Sequence, residues 1–154
     1  MDGLLKGRVA IITGAGRETG IGRATAKVFL DHGAQVALCD LEAENPVKTA
    51  AALGENAMGI VCNVTEAAAC KAAVAAAVER FGRLDIVVNN AGLTQRRKVA
   101  EVTEEDYNLV TDVVLRGTLL MTQAALPHLG RDTGSIVNVS SLSALQGGGI
   151  FGGP

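Results

Sequence analysis

The feature that most constrains this chain is an alternation. Residues 8–13, 35–39, 58–62, 85–89 and 135–139 are short apolar runs, and a longer stretch of helical character separates each from the next. Runs that are apolar at successive positions suit strands buried on both faces. Strands that alternate with helices join into a parallel sheet through right-handed crossovers. The expected fold is therefore α/β: one domain over residues 1–154 with a doubly wound parallel sheet of five strands in the order 3-2-1-4-5. Helices are expected over residues 21–32, from 46 to about 54, over 65–81 and over 103–126. Thr65 is expected to cap the third, with Glu66 in its first turn, and Thr103 opens the fourth with Glu104, Glu105 and Asp106. Pro127 marks the end of that helix. The glycine-rich residues 147–154 carry no periodicity and read as a flexible tail.

Charge and composition narrow the function. The formal net charge is −2, so no basic face for nucleic acid or a membrane surface is expected. Aromatic residues make up only 3% of the chain, too few for a base-stacking platform. No signal peptide and no membrane span are expected, the alanine-rich stretch near residue 75 being the nearest candidate. Cys39, Cys62 and Cys70 lack metal-ligand spacing. They read as small buried residues of a protein in a reducing compartment, which places it in the cytoplasm. Arg96, Arg97 and Lys98 read as a solvated basic loop, Tyr107 as a packing residue, and His128 as an exposed one.

In a doubly wound sheet, ligands sit beyond the carboxyl ends of the strands where the winding reverses. The turn from Thr13 to Gly22 lies there, between the first strand and the first helix. Its glycines Gly14, Gly20 and Gly22 let a diphosphate approach the backbone, and the helix start at Ile21 offers it N–H groups. Asp40 closes the second strand 18 residues after Gly22, a spacing suited to an acid that accepts both adenosine ribose hydroxyls. A carboxylate there repels a 2′-phosphate, so NAD is favoured over NADP. Leu41 adds no positive charge. Arg17 is the opposing signal, since an arginine near that ribose accommodates the phosphate.

At this point the sequence resembles the short-chain dehydrogenase/reductase family over its whole length. The turn is similar to the family's TGxxxGxG, residues 89–92 reproduce its NNAG, and residues 136–141 reproduce the fifth-strand segment with the catalytic serine. The resemblance implies a Rossmann domain and hydride transfer between NAD(P) and a small carbonyl or alcohol. Carried over residue by residue, it implies that Gly14, Gly20, Ile21 and Gly22 line the diphosphate and Asp40 holds the ribose. Asn63 and Val64 would stand near the adenine, and Asn90, Ala91 and Gly92 beside the cofactor. Ser141 would hydrogen-bond the substrate oxygen.

Three departures accompany the match. Five residues separate Gly14 from Gly20 where the family has three. Val114 stands where the family commonly has an asparagine of the proton relay. The family's YxxxK pair, its acid/base tyrosine with a lysine, is expected about a dozen residues after Ser141, just past Pro154. The expectation is an N-terminal portion of a longer enzyme, without the last strands and inactive alone. The runner-up is a dinucleotide-binding regulator or partner without catalysis, and a receiver or flavodoxin-like module is a third reading. The family also commonly forms oligomers through the helix equivalent to residues 104–126.

Overall fold

The computed structural model describes residues 3–95 and 97–142. Five parallel strands, β1 (Val9–Thr13), β2 (Gln35–Asp40), β3 (Ala57–Val61), β4 (Ile86–Asn89) and β5 (Ser135–Asn138), form one sheet in the order β3-β2-β1-β4-β5. The helices are α1 (Ile21–Asp31), α2 (Pro46–Leu53), α3 (Ala67–Phe81), α4 (Glu104–Thr111) and α5 (Gly117–Ala125). Pro46 begins α2 where its missing N–H costs nothing, and a short 3-10 turn, Glu42–Glu44, precedes it. The expected fold class and strand order both hold.

Alternation along each strand divides the core in two. Val9 and Ile11 of β1 join Cys39, Val87, Ala73, Ala77 and Met121 on the face covered by α3 and α5. Ala10 and Ile12 point the other way and join Leu38, Val88, Ala26 and Ala50 under α1 and α2. The alanines of α3 serve this packing, since Ala73 and Ala77 are fully buried. At the amino ends of β1 and β4, Asp85 is buried and ringed by donors. Its oxygens accept from Arg8 at 2.9 Å, from the Val9 N–H at 3.0 Å, and from Arg83 at 2.6 and 2.8 Å. Burial works against its charge, but the hydrogen bonds from Arg83, Val9 and Arg8 outweigh it and hold the carboxyl below the ordinary carboxylate range.

Several expectations need correction. Thr65 does not cap α3: its hydroxyl donates to Asn63 Oδ1 at 2.9 Å, and Glu66 stands at the N-cap rather than in the first turn. The asparagine amide captures the threonine locally, a competition that spacing does not reveal. Tyr107 is 62% exposed and packs little. The long helix runs on from α4 to α5 through a π-helical turn, Asp112–Arg116, and α4 opens at Thr103 as expected, with a capping box between Thr103 and Asp106. The run Glu104–His128, 25 residues with mean hydropathy 1.3 in its most apolar window, is long and apolar enough to cross a membrane. The alanine-rich stretch is thus not the nearest candidate. Met121, Ala124 and Ala125 of this run pack into the core, which gives its apolarity a folding role. His128 is exposed and the three cysteines are free and buried, as expected. The tail 147–154 and Arg96 lie outside the described residues.

Candidate functional site

The carboxyl ends of β1, β2 and β4 bring the glycine turn, Asp40 and residues 89–92 together. Gly14 has φ +66°, a conformation that favours glycine, and a Cβ there would lie 2.8 Å from the Ala91 Cα. At Gly22 a Cβ would lie 2.8 Å from the Asn90 amide nitrogen and 2.9 Å from the Ala15 Cα. Both positions require glycine because the turn packs directly against the end of β4. No side chain caps α1 at Gly20, and no acidic residue occupies its first turn. The helix start therefore presents N–H groups and the positive end of its dipole with no carboxylate of its own to neutralise them. Ile21, at that start, is exposed.

Thr13 and Asn90 fasten this arrangement. The Asn90 side-chain amide donates to the carbonyls of Thr13 at 2.9 Å and Gly14 at 3.0 Å. The Thr13 hydroxyl accepts the N–H groups of Asn90 and Ala91 at 3.0 and 2.9 Å. Asn90 thus serves as a brace, holding the glycine turn open at a fixed height above the sheet. Thr13 did not stand out in the sequence as a brace. Its place at the last β1 position, in register for the β4 end, is what gives it that role.

Asp40 ends β2 with its carboxylate half-buried. Oδ2 accepts the Gly16 N–H and Oδ1 accepts the Leu41 N–H, both at 2.8 Å. Each oxygen keeps a lone pair for a further donor, so the acid is oriented but not saturated. Arg17 makes a two-point ion pair with Glu44, at 2.8 and 2.9 Å. Glu44, in the short turn before α2, was not singled out in the sequence, where nothing in the spacing tied it to Arg17.

Asn63 Oδ1 accepts from the Thr65 N–H and hydroxyl, while its Nδ2 donates to Glu66 at 2.9 Å. Its amide is engaged at the start of α3. Val64 is buried against Gly117 of α5. Gly92 lies beside the π-helical turn, where a Cβ would come 3.9 Å from Val114. Val114 therefore faces the residue 89–92 loop. Ser141 follows β5 and is exposed. Asn89, two residues from Ala91, donates to Asn138 at 2.9 Å and Thr122 at 3.2 Å, which ties β5 and α5 to the end of β4. Arg97 pairs with Asp106 at 3.2 Å, so that cation is held on α4.

The cradle suits a dinucleotide on two structural grounds. Side chains would fill it at Gly14 and Gly22, and the uncapped helix start is charge-complementary to a diphosphate. Comparison with known proteins agrees. The family profile described as short chain dehydrogenase matches residues 8–152, and the chain belongs to that family of oxidoreductases, whose members bind a nicotinamide cofactor. An uncharacterized short-chain type dehydrogenase/reductase of Sinorhizobium fredii is 40% identical over 98% of this chain and 62% of its own length. A 3-oxoacyl-[acyl-carrier-protein] reductase of Thermotoga maritima is 40% identical over 97% of this chain and 60% of its own. Among solved structures, a 3-ketoacyl-(acyl-carrier-protein) reductase from Brucella melitensis complexed with NADH is 37% identical. It covers 80% of this chain and 51% of that one, with TM-score 0.76. The chain spans less than two thirds of the length of these relatives.

Proposed function

We propose that this chain is the nicotinamide-dinucleotide-binding part of an NAD-dependent oxidoreductase that interconverts a small ketone and a secondary alcohol. The observation that carries the reading is the uncapped start of α1 over the Gly14–Gly22 cradle, with Asp40 oriented beside it. In this reading the backbone of Gly14, Gly20, Ile21 and Gly22 binds the diphosphate, and Asp40, next to Leu41, takes the ribose hydroxyls. Asn63 and Val64 border the adenine. Asn90, Ala91 and Gly92 position the nicotinamide half. The bound cofactor supplies hydride chemistry. Ser141 hydrogen-bonds the substrate oxygen, where charge develops during transfer. Proton transfer to that oxygen needs an acid that residues 1–154 do not offer: Tyr107 is the sole tyrosine, is exposed, and no lysine follows it.

Residues 1–154 act as a single domain in this proposal, with self-association through residues 104–126 and a cytoplasmic location consistent with three free thiols. Val114 favours a second reading, dinucleotide binding without turnover, because valine cannot join a proton relay through its side chain. NADH fluorescence titration tests what both readings share. Saturable binding is expected, and Asp40→Ala is expected to weaken NADH about tenfold while changing NADPH much less. Equal loss of both cofactors would contradict the ribose assignment, and absence of binding would overturn the proposal.

A further inference from the structure

Beside Asp40 the glycine turn is fastened to the segment after β2 at three successive residues. The Gly16 N–H donates to Asp40 at 2.8 Å, and the Gly16 carbonyl accepts the Thr49 hydroxyl. Arg17 donates through Nε to Glu44 Oε2 at 2.8 Å and through Nη2 to Glu44 Oε1 at 2.9 Å. Glu18 accepts from Lys48 at 3.4 Å. A Cβ on Gly16 would lie 2.8 Å from the Asp40 Cβ and 3.0 Å from the Glu44 Cβ, so both carboxylate-bearing residues flank the same glycine. Arg17, one residue further on, feels the charge of Asp40 as well as that of Glu44.

A guanidinium beside the ribose acid is the group able to accept a 2′-phosphate, and its planar fork suits two oxygens at once. Here that fork already holds a carboxylate in matching geometry. We propose that Glu44 sets the cofactor preference: its two-point pairing with Arg17 withholds the guanidinium from a 2′-phosphate and adds a second negative charge beside Asp40. The chain then selects a dinucleotide with a free 2′-hydroxyl. This inference rests on the dinucleotide-binding reading above. The Arg17 side chain is 70% exposed and that of Glu44 27%, so the pair adds little to fold stability. Its effect lies in what Arg17 is free to hold.

The test titrates the chain and three variants, Glu44→Ala, Glu44→Gln and Arg17→Ala/Glu44→Ala, with NADH and NADPH separately. The affinity ratio of NADPH to NADH should rise roughly five- to tenfold in Glu44→Ala. It should rise in the same direction in the isosteric Glu44→Gln, and return towards the parent ratio in the double variant. If NADH binds but the ratio stays fixed in both Glu44 variants, or the double variant keeps the gain, the role of Glu44 is overturned and the dinucleotide reading stands. If the parent chain shows no saturable NADH binding, the underlying reading fails, and this inference with it.

Discussion

Asp85 concentrates more charge-assisted hydrogen bonds than any other described side chain, and it does so away from the site. Asp85→Asn should lower stability at pH 7 by about 2–4 kcal/mol, read by urea denaturation, because Arg8, Arg83 and the Val9 N–H lose a charged acceptor. Its carboxyl titrates lower when folded than when unfolded. The stabilisation is therefore complete above the ordinary carboxylate range near 4 and is lost as pH falls through the lower, folded value. The gap between parent and variant should narrow below about pH 4, and a constant gap down to pH 2 would refute the account. Single residues differ in how readable they are. Gly14, Gly22 and Asp40 announce themselves because backbone conformation and strand-end position restrict what can stand there. Asp85, Thr13 and Glu44 do not, since their roles depend on distant partners: Arg8 lies 77 positions from Asp85, Asn90 77 from Thr13, and Arg17 27 from Glu44.

Among the elements, α3 and the strands beneath it make a prediction about thiols. Cys39, Cys62 and Cys70 meet where β2, β3 and α3 pack, and each is almost fully buried. The neighbouring Cys39 thiol, with burial adding to it, pushes Cys62 up to about 12, and hydrogen bonding to Cys62 together with burial raises Cys70 as well. Burial also shields all three sulfurs from reagent, so a disulfide reagent at pH 8 should leave all three unmodified in the native chain and titrate all three in denaturant. Fast modification of the native protein would mean that α3 opens locally. The elements themselves were legible because five apolar runs and the intervening periodicities reflect burial directly. Their ends were less so. The start of α3 shifted because Asn63 competes for Thr65, and the π-helical turn at Asp112–Arg116 leaves no mark in the hydrophobic pattern.

Across the whole molecule the covering of the sheet is uneven. Val137 of β5 is 48% exposed, and the outer side of the long helix shows Leu115 at 69% and Leu119 at 53%. These two leucines share a groove with Thr111, Asp112 and Arg116. Apolar surface of this kind favours association. Sedimentation velocity should show a concentration-dependent dimer, and Leu115→Lys with Leu119→Lys should shift the population to monomer. A monomer at every concentration would argue against the proposed contact. In the sequence only the family resemblance pointed to this helix as a contact; its hydrophobic pattern did not, because the same leucines satisfy a core pattern equally well. Another arrangement also exists only at this scale. Parallel strands send the buried Asp85 cluster to one rim of the sheet and the glycine cradle to the other. Foundation and workshop are thus on separate floors: the lower rim keeps the layered sheet and helices upright, while the upper one holds the glycine turn and Asp40 in place.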